Sequence, residues 1–264
     1  MERVEVDGLT IAYLRAGHGP PLLLLHGGVS DGPTTWWNQI DEFAHDHTVI
    51  AWDAPGAGAS DDPPQAFGMD GYVTCVAGFI RALGLDPVHL MGQSFGGALA
   101  LAVAARHAGL VRSLVLVSAY AGWRGSLGAE DAGARLAERV ALSQRTGAEV
   151  ADALLPAMFA VPVAGFEAAA FRKAIVAFHP AGMRAMAAAC AEDLSELLPE
   201  VVAPTLIVYG SDDTRAPWPV AGRLHDGIAN SRLVVIEGAG HECNTERPQV
   251  FNHAVRVFLA AAAA

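Results

Sequence analysis

A serine, a histidine and a carboxylate brought together can turn an alcohol into a nucleophile. This chain offers all three at the ends of apolar runs. Ser94 sits in Gly92-Gln93-Ser94-Phe95-Gly96, after the run Val88-His89-Leu90-Met91 and before an Ala- and Leu-rich stretch from Ala98 to Ala105. The pattern predicts strand, sharp turn and helix, with the helix opening near Gly97. Such a turn strains the backbone at its apex, and small residues two places to either side keep it clear of the neighbouring strand and helix. The apex side chain then stands free at the C-terminal edge of a sheet. The helix N-terminus beyond it supplies positive potential for a developing oxyanion. A serine hydroxyl needs a base. Of the ten histidines, His241 is the best placed: Gly238-Ala239-Gly240-His241 follows the run Leu233-Val234-Val235-Ile236 and so reaches the same edge. His26 precedes glycines in an early loop, His45 and His47 flank a strand start, and His89 lies within a strand; His107, His225 and His253 read as helix or surface positions. An orienting carboxylate completes the set. Asp212 and Asp213 both follow the run Thr205-Leu206-Ile207-Val208-Tyr209, and on spacing the two compete.

The elements that must hold these residues can be read from periodicity. Val4 and Val6, then Leu9, Ile11 and Tyr13, alternate around Asp7-Gly8, which signals a hairpin. Leu22 to Leu25 and Thr48 to Trp52 are continuous apolar runs, suited to strands covered on both faces. Tyr72, Val76, Phe79, Ile80 and Leu83 recur at helical spacing, with Gly84 as the stop. Leu114 to Val117 reads as a strand. Strands alternating with helices predict a parallel sheet with helices on both faces. From about Tyr120 to Leu198 the strand signal vanishes. That stretch is rich in Ala, Glu and Arg and reads as helices broken at Gly147, Pro156, Pro162 and Pro180. The expectation is a core domain of residues 1–119 and 199–264 with a helical insertion at 120–198. Phe251, Val255 and Phe258 mark a final helix, and the alanines from 260 to 264 a frayed tail.

Composition narrows the function. The chain has 264 residues, 52% of them hydrophobic and 17% charged, enough apolar material for a sizeable core and too much for disorder. The net charge is −11, with a single lysine, Lys173, and scattered arginines. That balance opposes phosphate backbones and anionic membranes, so neither nucleic acid nor a membrane is an expected partner. The apolar runs are too short to span a bilayer. Cys75, Cys190 and Cys243 are widely spaced without a CxxC, which fits a reducing compartment. The charged first residues lack the apolar core of a signal peptide. The expectation is a soluble cytoplasmic protein, monomer or homodimer, acting on a small molecule. HExxH, paired Cys/His spacing and a P-loop are all missing from the sequence, so neither metal nor organic cofactor is expected.

Taken together these motifs resemble the α/β-hydrolase superfamily over nearly the whole chain. The carrying residues are His26-Gly27-Gly28, Asp53-x-Pro55-Gly56-x-Gly58-x-Ser60, the turn around Ser94, Gly210-x-x-Asp213 and Gly240-His241. The resemblance implies the α/β-hydrolase fold: a mostly parallel eight-stranded sheet, helices on both faces and a helical cap insertion. The chain order Ser94, Asp213, His241 is the one this fold uses. In the family the acid usually stands three residues after the glycine, which favours Asp213 over Asp212. Its oxyanion hole takes one N–H from the residue after the nucleophile, here Phe95, and one after the His-Gly pair, here Gly28. Such donors stabilise charge that develops in the transition state. His26 is expected to support its loop through hydrogen bonds, and Asp53 to Gly56 to form a scaffold turn near the rim of the site. Within the superfamily the chain is similar to small esterases and to 3-oxoadipate enol-lactonase-like hydrolases. Gln93 departs from the histidine that many enzymes of that branch carry before the serine.

The chemistry implied is acyl transfer on a small, largely apolar ester or lactone. The insertion is expected to cover Ser94 and exclude water. Its apolar wall is expected from Trp36, Trp123, Met158, Phe159 and Trp218, with Trp37 and Phe178 as further candidates. Arg124 and Arg215 could meet a substrate carboxylate. Cys243 reads as filler. The same triad could instead cleave a C–C bond in a diketone, an amide or a thioester. A non-catalytic ligand-binding protein on a hydrolase fold is the reading from another class.

Overall fold

Leu22 and Leu24 point to one side of the sheet and Leu23 and Leu25 to the other, and all four are fully buried. A strand needs an unbroken apolar run when helices cover both of its faces. In the computed structural model, which describes residues 1–161 and 165–262, one eight-stranded sheet is built this way. Pro162, read above as a helix breaker, and the last two alanines of the tail lie outside the described residues; Ala260, Ala261 and Ala262, read above as frayed, instead continue the final helix. The strands are β1 (Glu2–Val6), β2 (Leu9–Ala16), β3 (Pro21–Leu25), β4 (Thr48–Trp52), β5 (Val88–Gln93), β6 (Val111–Val117), β7 (Thr205–Gly210) and β8 (Ser231–Ile236). Their order is β1-β2-β4-β3-β5-β6-β7-β8; β1 and β2 are antiparallel to their neighbours and the rest are parallel. The turn joining β1 to β2 places Asp7 at φ 49° and Gly8 at φ 82°, the left-handed pair that a two-residue hairpin requires.

Three helices follow β3, β4 and β5 in turn: α1 (Gly32–Phe43), α2 (Gly68–Ala82) and α3 (Phe95–Arg106). Between β6 and β7 come α4 (Gly122–Leu127), α5 (Ala129–Leu142), α6 (Gly147–Leu154), α7 (Phe166–Val176) and α8 (Pro180–Cys190). The chain closes with α9 (Trp218–Gly227), a short α10 (Cys243–Glu246) and α11 (Pro248–Ala262). One face of the sheet is covered by α1 and α11 through Trp36, Phe43, Phe251 and Val255. The other is covered by α2, α3 and α9 through Tyr72, Phe79, Leu99 and Leu224. Sequence periodicity passes over α1, whose start the structure explains: the Asp31 carboxylate accepts the Thr34 N–H at 2.7 Å and Pro33 occupies the first turn. Among the described residues, 120–198 add no strand to the sheet. They hold a small apolar cluster of their own, with Val150, Leu154, Phe171 and Ile175, while Met186 and Cys190 of α8 join the main core.

Register decides where chemistry can occur. Leu25 pairs with both Trp52 and Gly92, Gln93 with Val117, Val117 with Val208, and Gly210 with Ile236. The loops after β3, β4, β5, β7 and β8 therefore leave the sheet along one edge. Because β3 lies between β4 and β5, the winding reverses there, and the crevice outside such a reversal is where ligands of open α/β sheets bind.

Candidate active site

The fully buried β5 ends at Gln93, and Ser94 turns the chain at φ 52° and ψ −112°. An L-residue held in such a region carries strain of about 1–3 kcal/mol, sustained only where the surroundings fix it. The surroundings here are glycines. A β-carbon at Gly92 would stand 2.1 Å from the Gly96 carbonyl oxygen, and one at Gly96 would stand 2.2 Å from that of Leu25. The Ser94 N–H still donates to the Val117 carbonyl at 2.9 Å, and α3 starts at Phe95 rather than near Gly97. The elbow has no spacer residues: strand, apex and helix are consecutive.

The imidazole of His241 lies between Ser94 and Asp213. Its Nε2 is 3.0 Å from Ser94 Oγ, and its Nδ1 is 2.9 and 3.1 Å from the two oxygens of Asp213. An ionised carboxylate only accepts, so Nδ1 carries the proton and the Nε2 lone pair faces the hydroxyl. Asp213 Oδ1 also accepts the N–H groups of Arg215 (2.9 Å) and Ala216 (2.8 Å). Burial pushes the Asp213 carboxyl up, but the His241 charge and these hydrogen bonds more than offset it and hold the group below its ordinary value. Burial lowers the His241 pKa below its ordinary 6.5, against the pull of Asp213 and helped by Arg215 and Arg135. The imidazole is therefore neutral, and a base, at neutral pH. Asp212, the competing acid, is exposed and accepts the Ser211 hydroxyl instead.

Acid and base loops are stitched together by backbone. A β-carbon at Gly210 would stand 2.0 Å from the Ala239 carbonyl oxygen, so only glycine lets the two loops cross there. Ser211 and Asp212 donate their N–H groups to Ile236 and Ala239. Glu246 accepts the Gly240 N–H at 2.7 Å with one oxygen and the Ala160 N–H at 2.9 Å with the other. That carboxylate ties the base loop to the segment 120–198, a role that sequence reasoning missed.

On the opposite rim, His26 Nδ1 donates to the Gly27 carbonyl at 2.6 Å and Nε2 accepts the Ala54 N–H at 2.9 Å. Burial holds this imidazole neutral, as that pattern needs. Asp53 accepts the N–H groups of Gly32 and Ala59. These bonds fix the Gly27-Gly28 loop beside Ser94. Phe95 is the first residue of α3, so its N–H has no acceptor within the helix. Gly28 and Phe95 both border the cleft over Ser94.

That cleft has a volume of about 530 Å³ including its mouth. The structure brings Trp123 and Met158 to its wall, with Arg215. Three of the expected wall residues lie elsewhere. Trp36 is fully buried beneath the sheet against Phe43 and Phe251, because it is on the core face of α1. Phe159 packs edge-on to Phe171 at 5.3 Å inside the cluster of 120–198. Trp218 opens α9 and is 60% exposed. Trp37 is also exposed and rests on Phe166, Phe178 lines a neighbouring cleft with His179, and Arg124 faces solvent. Cys243 is fully buried in the apolar cluster under the sheet. In place of the absent aromatics the wall is made by Met183, Met186 and Cys190 of α8, together with Arg139 and Glu242. Glu242 directly follows the base in sequence, which is a usable signal; nothing in the sequence separates Arg139 from the other arginines of its helix. Among the described residues, no cluster of His, Cys, Asp or Glu is arranged to hold a metal, and no helix is long and apolar enough to cross a membrane.

Residues 22–254 match the family model described as "Alpha/beta hydrolase family". The chain is 31% identical to the 2-hydroxy-6-oxo-2,4-heptadienoate hydrolase of Pseudomonas putida over 98% of this chain and 95% of that protein. Among solved structures it is similar to a thermophilic esterase from Thermogutta terrifontis, with a TM-score of 0.87, 29% identity and 99% of each chain covered. The enol-lactonase of Burkholderia xenovorans shares the fold at a TM-score of 0.86 and 24% identity, over 98% of this chain and 100% of that one.

Proposed function

This chain belongs to the alpha/beta hydrolase family, and from that premise we propose that it is a serine hydrolase that cleaves a carboxylic ester or lactone through an acyl-enzyme on Ser94. The observation that carries the reading is the unbroken line of hydrogen bonds from Asp213 through His241 to Ser94 Oγ at the floor of the cleft. His241 takes the Ser94 proton as Oγ attacks the carbonyl carbon. The Phe95 and Gly28 N–H groups receive the oxyanion. His241 then protonates the leaving alcohol, and a water activated by the same imidazole releases the acid. Asp213 stays ionised and fixes the tautomer. Residues 120–198 act as the cap: Met158, Met183 and Met186 give the substrate an apolar wall and keep bulk water from the acyl-enzyme. Three free, buried cysteines support a reducing compartment, the cytoplasm.

A second reading has its own support. The compound in the name of the Pseudomonas putida relative bears a ketone and no ester, so its hydrolysis must break a carbon–carbon bond. The same triad in this chain would then act on a diketone-type substrate. A fluorophosphonate probe and a panel of p-nitrophenyl esters, lactones and diketones test both. Labelling of Ser94 with turnover of esters or lactones is the expected result. Turnover of the diketones alone would replace the first reading by the second, and a serine that does not label would sink both.

The depressed pKa of His241 sets the acid side of the profile. The base works when neutral, so activity is lost as pH falls through its pKa. For a neutral ester, kcat/KM should rise along a limb with its midpoint below 6.5, the ordinary value, and then level off. A midpoint above 7 in a kcat/KM–pH profile would contradict this picture of the buried imidazole.

A further inference from the structure

Three residues on the wall of the cleft each carry a buried polar atom with no hydrogen-bond partner among the described residues: Arg139 Nη1, Arg215 Nε and Glu242 Oε2. Arg139, from α5, is only 6% exposed. The nearest oxygen of Glu138, a half-exposed residue, is 3.8 Å from Nη1, beyond hydrogen-bond reach. Arg215 enters no ion pair among the described residues. Its backbone is held firmly, with its N–H on Asp213 and its carbonyl accepting from Arg135 (2.9 Å) and the Tyr120 hydroxyl (2.5 Å). Burial, and then repulsion by Arg215, lowers the pKa of Arg139 to about 10. A chain of net charge −11 thus places two guanidiniums on the wall of the cleft beside its serine with no hydrogen-bonded counter-ion, Arg139 having only the long, solvent-facing pairing with Glu138. Buried charge without a counter-ion is costly, and a ligand anion relieves that cost.

The carboxyls at the cleft itself do not hydrogen-bond these guanidiniums. Asp213 is committed to His241. Glu242 is 2% exposed, and its Oε1 accepts the Gln93 amide at 3.3 Å. The charged and titratable groups around it are Arg215 and Asp213 of the acid loop, Glu246 of α10 and the adjacent His241. Burial, with Asp213 and Glu246, pushes the Glu242 carboxyl up to about 8 against the pull of Arg215. At neutral pH it holds a proton and can donate it in a hydrogen bond.

We propose that Arg139, Arg215 and Glu242 form the binding site for a carboxylate carried by the substrate, with the guanidiniums supplying charge and the Glu242 acid a hydrogen-bond donor. This rests on the serine-hydrolase reading and narrows it: the substrate is a half-ester, an acid-bearing lactone or a keto acid. A carboxylic acid facing a carboxylate between two guanidiniums makes a charge-assisted O–H···O bond. Above its pKa Glu242 becomes a second anion and repels the ligand.

The test compares mono-p-nitrophenyl adipate with p-nitrophenyl hexanoate, esters of equal acyl length that differ by a terminal carboxylate. The wild type should prefer the adipate in kcat/KM by about tenfold or more, the worth of one or two charge-assisted contacts. Arg139→Met should collapse that ratio toward one. In the wild type, kcat/KM for the adipate should fall above pH 8 or so as Glu242 ionises, and the hexanoate profile should stay level there. Glu242→Gln keeps a donor in place but cannot ionise, so it should abolish the alkaline fall. A wild type without adipate preference, an Arg139→Met variant with an unchanged ratio, or an alkaline fall that survives Glu242→Gln would each overturn the site. Fluorophosphonate labelling of every variant separates the two failures: labelling without preference removes only the carboxylate site, whereas no labelling removes the hydrolase reading beneath it.

Discussion

Ser94→Ala is expected to lower kcat/KM toward an activated ester by about 10⁴-fold or more and to abolish fluorophosphonate labelling. The size follows from what remains. Without Oγ there is no acyl-enzyme, and only the proposed N–H donors of Gly28 and Phe95 and the cleft act on a water attack. The fold should survive, because alanine keeps the β-carbon and removes one oxygen whose hydrogen-bond partner is His241. The backbone strain at φ 52° is the same for serine and alanine. Ser94→Gly provides the complementary arm. Glycine enters the left-handed region freely, so that variant should be equally inactive yet more stable, by about 1 kcal/mol in a denaturation curve. Higher stability with lost activity would show that the elbow holds its strain for the sake of the exposed hydroxyl. Turnover that persists in Ser94→Ala would move the chemistry to another residue.

The elbow was legible because its constraints are local. Gly92 and Gly96 face carbonyl oxygens whose positions the strand and the next helix dictate, so composition at those places reports geometry directly. The buried strands were legible for a related reason: Leu22 to Leu25 must serve two faces, and no polar residue can interrupt them. The wall of the cleft was not legible. Trp36 and Trp37 are neighbours of the same type on one helix, yet Trp36 is fully buried and Trp37 is 42% exposed. Which of them reaches a substrate depends on how α1 docks, and aromatic type carries no information about that. Arg139 shows the same limit from the other side. On α5 it looks like any solvated arginine, and it becomes part of the cleft only once α5 packs against α8 and the loop of Arg215 approaches. The composition of residues 120–198, rich in alanine, also hides which turns face inward.

Asp213→Asn is expected to cost about 10⁴-fold in kcat while Asp212→Asn stays within about twofold, because only the first change alters the tautomer of the base. Asp213 has a side chain 1% exposed, and Oδ1 accepts two backbone N–H groups. An asparagine placed there must turn its carbonyl oxygen to those donors, since its amide nitrogen would meet them donor to donor. The NH₂ then faces His241 Nδ1 and can only donate. Nδ1 becomes the acceptor, the ring proton moves to Nε2, and Nε2–H points at Ser94 Oγ with no lone pair left to take its proton. The cleft, the Gly28 and Phe95 N–H groups and Ser94 are untouched, so KM should change far less than kcat. Asp212 is exposed and bonded to Ser211; its replacement leaves the ring proton where it was. Steady-state kinetics on one ester at pH 7, with a thermal melt to verify folding, decides the matter. If the two variants lose activity equally, the carboxylate acts by its charge across the loop and not by fixing a tautomer. If Asp212→Asn alone is inactive, the orienting acid is the exposed neighbour.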